Sequence, residues 1–119
     1  MPIYSSIKRI IISRPDAIGD VILTLPLCGI IKKYNPQIQI IFLGKTYTQP
    51  VVDCCAFVDE FLNADELLQL PESQAIAKLA SYKADAVIHV FPHKQIGLLT
   101  KKANIKWRIG TTNRLHHWG

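Results

Sequence analysis

The sequence predicts one α/β domain built on a parallel sheet, and three observations favour this fold class. Short apolar, β-branched runs alternate about five times with segments of helical pattern. The first of them, Ile10–Ile12, leads through a short polar loop into a second apolar run that opens at Gly19-Asp20. The length of 119 residues and the 49% apolar content suit one domain with a buried core. Alternation of this kind puts helices on both faces of the sheet.

The first unit is expected to be a strand over Ile7–Ser13 followed by a helix over Gly19–Tyr34. The helix is expected to end at Asn35 because Pro36 disfavours helical backbone in the residue before it. Pro26 lies inside this range, so we expect either a kink or a helix that begins near Pro26. The helix is apolar on nearly all sides, which predicts that the sheet and a further element both cover it.

The remaining units continue the same alternation. The later strands are expected over Gln37–Leu43, Val58–Leu62, Ala86–Phe91 and Trp107–Ile109, and the later helices over Thr46–Cys55, Pro71–Tyr82 and His93–Ala103. A turn is expected at Asn63–Asp65. The predicted strand order is 3-2-1-4-5, a Rossmann-like sheet of about five strands. This order brings the loop Arg14–Asp20 close to Pro92–Lys94, where strands one and four end.

The composition limits the classes of protein to consider. Fourteen Lys and Arg against nine Asp and Glu give a net charge of +5, which fits either a plain basic surface or anionic partners such as phosphates. The three cysteines, Cys28, Cys54 and Cys55, form no CxxC pair, which indicates a reducing compartment. The longest uncharged apolar stretch, Val21–Ile31, is shorter than the roughly 20 residues that span a bilayer. We therefore expect a cytoplasmic protein that can touch a membrane surface.

Asp20 is the first candidate for chemistry because it opens a helix at the ligand-binding edge of a parallel sheet. In one interpretation its carboxylate only complements the positive end of the helix dipole, an effect of about 0.3–1 kcal/mol. In the other it is a general base that helix N–H groups keep ionised and in place. Gly19 before it would let a ligand or backbone approach closely. Spacing alone leaves both interpretations open.

Several nucleotide, hydrolase and metal motifs are missing. The first loop has neither GxGxxG nor GxxxxGK[ST], and the chain has no GxSxG elbow, HExxH motif or acidic pair suited to a catalytic metal. The adjacent His116 and His117 do not share a helical face, so we expect no metal site there. His89, in an apolar strand, fits a core residue better than a catalyst. His93 and Lys94 would either meet an anion or simply begin a solvated helix.

One segment resembles a known family. Residues 14–27, RPDAIGDVILTLPL, are similar to the N-terminal signature of glycosyltransferase family 9, the bacterial heptosyltransferase-like enzymes of lipopolysaccharide core assembly. The shared elements are a hydrophobic strand, a short polar loop, Gly-Asp, an apolar pair and Thr-Leu-Pro. Two later segments, FLGKTYTQPVVDCCAFVDEFL and AVIHVFPHKQIGLLTKKANIKWRIGT, look like further units of the same family. The resemblance therefore spans nearly the whole chain.

The resemblance implies a GT-B architecture, in which two Rossmann-like domains face each other across a cleft. Residues 1–119 would be the N-terminal domain, which takes the acceptor, and the C-terminal domain that binds the nucleotide-sugar would be absent. Asp20 corresponds to the catalytic base, which deprotonates the acceptor hydroxyl for inverting attack on the anomeric carbon. Enzymes of this kind need no metal or other cofactor. Contacts to the acidic sugars or phosphates of the acceptor are implied for Arg14, Gly19, Lys94 and Arg114, with Arg108 as a further candidate.

The first hypothesis is therefore the acceptor-side domain of an inverting glycosyltransferase. It would help to move a sugar such as heptose from an ADP-sugar donor to an anionic glycolipid, the lipopolysaccharide core, and would be inactive alone. His89 and Phe91 stand where some family members carry an acidic residue and a glutamine, which bears on the identity of the acceptor. The face that a second domain would cover is expected to expose apolar side chains, with Trp107 and Trp118 as candidates, and to favour self-association.

Two other functions fit parts of the sequence. A flavodoxin-like domain without enzymatic activity would bind a phosphorylated ligand or a protein partner. Nucleic-acid binding would use the basic tail, but the chain lacks the interleaved aromatic and basic residues of a stacking platform, so no nucleic-acid partner is expected. The remaining cations are expected to form a solvated basic face made of Lys101, Lys102, Lys106 and Arg108.

Overall fold

Five parallel strands with helices on both faces form the structure, a computed structural model that describes residues 7–110. The strands are β1 Arg9–Ser13, β2 Gln39–Gly44, β3 Glu60–Asn63, β4 Ala86–His89 and β5 Trp107–Gly110. The α-helices are α1 Ile18–Tyr34, α2 Gln49–Asp53, α3 Ala64–Gln69, α4 Glu72–Ser81 and α5 Lys94–Lys102, and a 3-10 turn, Thr46–Thr48, precedes α2. The predicted α/β fold class is confirmed.

The strands lie in the order β3-β2-β1-β4-β5, as predicted. Ser13 at the end of β1 pairs with Leu43 of β2 and with His89 of β4. The Arg14 N–H then donates to the Leu43 carbonyl at 2.9 Å, and the Val90 N–H donates to the Ser13 carbonyl at 3.0 Å. The loops after β1, β2 and β4 therefore begin side by side, at what we call the carboxyl edge of the sheet.

Separate apolar clusters cover the two faces of the sheet. Alternate side chains of each inner strand point to opposite faces, so neighbours such as Ile11 and Ile12 enter different clusters. One cluster packs the sheet against α3, α4 and α5 and includes Ile11, Ile41, Leu67, Leu79, Val87 and Ile96. The other packs it against α1 and α2 and includes Ile10, Ile12, Val21, Cys28, Phe42 and Val52. Burial on both faces explains the nearly unbroken apolar runs in the sequence.

Helix α1 differs from the expectation at its start. It begins at Ile18 and continues through Pro26, so the alternative of a helix that begins near the proline is wrong. Pro26 lies on the exposed side of the helix, where water can reach the carbonyl that a proline nitrogen cannot bond. On the opposite side, Val21 and Cys28 are completely buried against the sheet.

The outward face of α1 is apolar and open. Four large side chains there are more than half exposed: Ile22, Leu23, Ile30 and Tyr34. Helix α2 and the 3-10 turn pack beside α1, but no element within the described residues covers this outward face, so the expected cover is found only in part. Of the two residues predicted for an exposed apolar face, Trp107 is half-buried and Trp118 lies outside the described residues. The face that a second domain would cover stays a prediction. No helix within residues 7–110 is both long and apolar enough to cross a bilayer.

The turn predicted at Asn63–Asp65 is instead the start of helix α3. The Asn63 side chain caps this helix by accepting a hydrogen bond from the Glu66 N–H at 3.0 Å. Asparagine and aspartate serve turns and helix N-caps alike, so the polar pattern does not separate the two. Burial of Leu67 in the core decides for the helix.

Strand β4 ends at His89, two residues before the predicted end at Phe91. The N–H groups of Val90 and Phe91 both donate to the Ser13 carbonyl, at 3.0 and 3.3 Å. This shared acceptor turns the chain out of the sheet and leads it into α5 at the carboxyl edge.

Candidate functional site

The loop between β1 and α1 holds two carboxylates and one guanidinium in contact, which we call the Arg14 triad. Arg14 Nε lies 3.1 Å from Asp16 Oδ1, and Arg14 Nη2 lies 3.3 Å from Asp20 Oδ1. The Asp16 and Asp20 carboxyl groups thus lie beside each other on one guanidinium. Arg14 is held in turn, because its Nη1 donates to the Val90 carbonyl at 3.3 Å. The Arg14 triad thus lies at the carboxyl edge, where β1 and β4 end.

Asp20 is the most accessible member of the Arg14 triad. Its side chain is 46% exposed, against 17% for Arg14 and 16% for Asp16. It occupies the first turn of α1, where free N–H groups favour an anion. A Cβ placed on Gly19 would meet no atom within 4 Å, so the space beside Asp20 is open. Asp20 therefore faces the open edge of the sheet and not the packed interior.

Asp16 is the member of the Arg14 triad that sequence reasoning missed. Burial raises the pKa of its carboxyl, and although Arg14 opposes this rise, the charge and hydrogen bond of Asp20 add to it. The Asp-x-x-x-Asp spacing could have pointed to the pair, because residues four apart meet on a helix. Since Asp16 precedes α1, however, spacing alone does not establish the contact.

A second feature of the carboxyl edge is an open cavity of about 890 Å³, which we call the β4–β5 cavity. It lies between the ends of β4 and β5 and the start of α5, and is lined by His89, Pro92, His93, Lys94, Gly97, Leu98, Lys101, Arg108, Ile109 and Gly110. Three of these residues are lysine or arginine and none is acidic. A Cβ on Gly97 would meet no atom within 4 Å, which keeps this part of the wall open. The cavity is therefore suited to an anionic group.

His89 lines the β4–β5 cavity from the end of β4 and is only 5% exposed. Its Nε2 lies 3.4 Å from the Thr100 hydroxyl on α5. Burial lowers the pKa of His89, and the positive charge of Arg108 lowers it further. The burial agrees with the prediction of a core histidine, while the position beside a cavity could not be foreseen from the strand pattern.

The candidate residues fall into two neighbouring groups. Arg14, Gly19 and Asp20 lie together at the start of α1, and Lys94 lines the β4–β5 cavity. Arg114 lies outside the described residues. Arg14 already pairs with two carboxylates, so contact with an acceptor would have to compete with these pairs. The roles of these residues in binding stay predictions.

Lys101, Lys102, Lys106 and Arg108 are all exposed to solvent, as predicted, but they differ in their contacts. Lys101 and Arg108 line the β4–β5 cavity, whereas Lys102 pairs with Glu72 at 2.8 Å. His93 caps α5, because its Nδ1 accepts a hydrogen bond from the Ile96 N–H at 3.3 Å. His116 and His117 lie outside the described residues.

Replacing His89 with glutamine is expected to reduce the loss of stability in acid. Because the pKa of His89 is lower in the folded protein than its ordinary value of 6.5, the unfolded chain takes up the proton first. The contribution of neutral His89 to the free energy of unfolding is therefore complete above about pH 6.5. Below that pH it declines by no more than about 1.4 kcal/mol per pH unit. Urea unfolding of both proteins between pH 7.5 and 5 (roughly the range over which a histidine titrates) measures the difference. Parallel stability curves would contradict the prediction.

Comparisons with known proteins agree on one type of enzyme. No protein-family model matches the chain. A curated relative from Haemophilus influenzae, named "Putative glycosyltransferase", is 22% identical over 108 residues, which cover 90% of this chain and 31% of the relative. The structure of ADP-heptose lipopolysaccharide heptosyltransferase II from E. coli matches with a TM-score of 0.72 and 20% identity, over 86% of this chain and 30% of that one.

A glycosyltransferase family 9 structure from Veillonella parvula matches with a TM-score of 0.70 and 22% identity, over 87% of this chain and 32% of that one. The chain thus spans about a third of the length of the proteins it matches. Over most of its own length it has the α/β fold of a heptosyltransferase domain, and the resemblance to glycosyltransferase family 9 is confirmed.

Proposed function

We propose that this chain is the acceptor-side domain of an inverting glycosyltransferase, with Asp20 as the general base. The observation that carries the proposal is the half-exposed Asp20 carboxylate, which Arg14 contacts at the carboxyl edge of a fold shared with heptosyltransferases. In open α/β sheets this edge is where ligands bind. A carboxylate there is in reach of a hydroxyl group that occupies the open space beside Gly19.

The reaction we propose is a single displacement at the anomeric carbon of the donor sugar. The acceptor hydroxyl oxygen forms a bond to that carbon while the bond to the nucleoside diphosphate breaks, and the leaving group departs with the electron pair. The hydroxyl proton passes to the Asp20 carboxylate. Because attack and departure take place on opposite sides of the carbon, the configuration is inverted. Arg14 contributes by holding the carboxylate in one position.

The acceptor is proposed to place an anionic group in the β4–β5 cavity. Lys94, Lys101 and Arg108 supply positive charge there, with no acidic residue among the lining. The cavity begins at β4, the neighbour of β1, and adjacent strands lie about 4.8 Å apart. Because α5 and α1 lie on opposite faces of the sheet, the acceptor would extend across the carboxyl edge from the cavity to Asp20. Because the E. coli neighbour is named for lipopolysaccharide, a lipopolysaccharide core is the acceptor that we would test first.

The donor is proposed to bind in a second domain that faces this one across a cleft. This follows from the lengths of the matched proteins, of which the chain covers about a third. The name of the E. coli heptosyltransferase favours an ADP-heptose-like donor. Such an enzyme would act in the cytoplasm, in contact with the inner membrane surface that carries the glycolipid.

A binding domain without transfer activity is the second candidate function. The cation-lined β4–β5 cavity favours it, because this cavity could hold a phosphorylated ligand or partner without any help from Asp20. The two candidates differ in what they require of the Arg14 triad, since only the enzyme needs an accessible base.

A transfer assay separates the two candidates. The complete protein that carries this domain is incubated with ADP-heptose and a lipopolysaccharide core oligosaccharide, and release of ADP is measured. ADP release that depends on the oligosaccharide supports the glycosyltransferase. Calorimetric binding of the oligosaccharide without any release of ADP supports the binding domain and contradicts the enzyme.

A further inference from the structure

The Arg14 triad joins a half-exposed carboxylate to a more buried one. We propose that Asp16 is a positioning residue for Asp20, which fixes the orientation of the base through the Arg14 guanidinium that both carboxylates contact. This inference rests on the proposed function, because it gives Asp16 a role through the base.

The geometry supports a fixed arrangement. Arg14 uses different nitrogens for the two carboxylates, Nε for Asp16 and Nη2 for Asp20, so both are held by one planar group. The guanidinium is tied to the segment after β4, because Nη1 donates to the Val90 carbonyl, and the Arg14 backbone is tied to β2, because its N–H donates to the Leu43 carbonyl. The Asp20 carboxylate, at the start of α1, is thereby held by a guanidinium that is itself fixed.

Asp16 lies among groups from three segments of the carboxyl edge. Burial raises the pKa of Asp16, and the negative charge and hydrogen bond of Asp20 raise it further, while Arg14 on the same loop opposes them. From the segment after β2, the Tyr47 hydroxyl donates to the Asp16 carbonyl at 3.3 Å, and from the segment after β4 the Val90 carbonyl accepts from Arg14. Asp16 is 16% exposed and Asp20 46%, so Asp16 holds Arg14 from the protein side while Asp20 faces the solvent.

The consequence for catalysis is a base whose carboxylate is held in one direction. Asp16 anchors the Arg14 guanidinium, and the guanidinium in turn orients the catalytic oxygen atoms of Asp20.

The first test uses the 119-residue chain itself and needs no substrate. Carbon-13 NMR of the carboxyl groups follows the titration of Asp16 in the unmodified chain and in the Asp20→Asn variant. We expect the pKa of Asp16 to be lower in the variant, because two of the causes that raise it are removed. Asp53→Asn, which removes an exposed aspartate at the end of α2, is the matched control and should leave Asp16 unchanged.

The second test asks whether Asp16 acts on turnover. In the complete protein, Asp16→Ala is expected to lower kcat for transfer by about tenfold to 100-fold with KM within about threefold, because the base is less well oriented. Asp16→Asn should stay within about threefold of the unmodified enzyme, since its amide oxygen can accept a hydrogen bond from the same Arg14 nitrogen. If Asp16 only stabilised the fold, the two variants would have the same turnover when their thermal stabilities are equal.

The outcomes separate this inference from the proposed function. An Asp16 titration that does not move in Asp20→Asn overturns the inference and leaves the glycosyltransferase proposal intact. Equal turnover of Asp16→Ala and the unmodified enzyme likewise overturns it. If the titration moves but Asp20→Asn transfers sugar at the unmodified rate, the proposed function fails, and with it the catalytic role of Asp16.

Discussion

Replacing Asp20 with asparagine is expected to lower kcat for sugar transfer by about 10²–10⁴-fold, the usual contribution of a general base. Asparagine has nearly the same shape and can still face Arg14, but its amide does not accept the proton of the acceptor hydroxyl. The affinity for the acceptor is expected to stay within about threefold, because binding depends mainly on the β4–β5 cavity. Initial rates of ADP release and calorimetric titration with the acceptor measure the two quantities.

Asp53→Asn is a suitable control for this experiment. It makes the same chemical change at an exposed aspartate on α2, outside both the Arg14 triad and the β4–β5 cavity, and should leave turnover unchanged. Turnover retained by Asp20→Asn would show that Asp20 only complements the dipole of α1. Loss of turnover together with loss of acceptor binding would instead indicate that Asp20 is needed to form the site.

Reversing two charges in the β4–β5 cavity is expected to have the second largest effect. The double variant Lys94→Glu/Arg108→Glu should weaken binding of an anionic core oligosaccharide by about 100-fold at low salt, because two attractions become repulsions. The loss should shrink as the salt concentration rises, since both side chains are exposed to the solvent and screened. Isothermal titration calorimetry on the 119-residue chain at two ionic strengths measures both effects.

The matched control reverses two lysines at the opposite edge of the sheet. Lys8 precedes β1 and Lys33 lies in the last turn of α1, so Lys8→Glu/Lys33→Glu changes the net charge equally but far from the cavity. Equal losses in the two double variants would mean that the acceptor responds to overall charge and would contradict a specific site. Gly97→Leu adds a steric test, because space beside Gly97 is open and the substitution should block the cavity without unfolding α5.

The order of the strands could be predicted because it follows from local patterns and general rules of connection. Runs such as Ile10–Ile12 mark buried strands, and right-handed strand–helix–strand connections leave few ways to arrange five of them. The same reasoning put Asp20 at the carboxyl edge, because the residue that opens a helix after a parallel strand always lies there.

Expectations failed where a local pattern fits two structures. Asn63 suits a turn and a helix cap equally, and only packing of Leu67 selects the helix. Pro26 signals a helix start in many proteins, yet here it lies on the solvent side of α1, where the missing hydrogen bond is tolerated. The end of β4 depended on the Ser13 carbonyl, which belongs to a distant part of the chain.

What the sequence by itself determined is the architecture and the place of the candidate base, because hydrophobic period and chain connectivity are properties of short segments. Only the tertiary structure decided which side chains meet at that place. The contact of Asp16 with Asp20 through Arg14, and the β4–β5 cavity between Lys94 and Arg108, join segments whose distance depends on the packing of the whole sheet. Burial and neighbouring charges, which set the protonation of Asp16 and His89, likewise exist only once these segments are packed together.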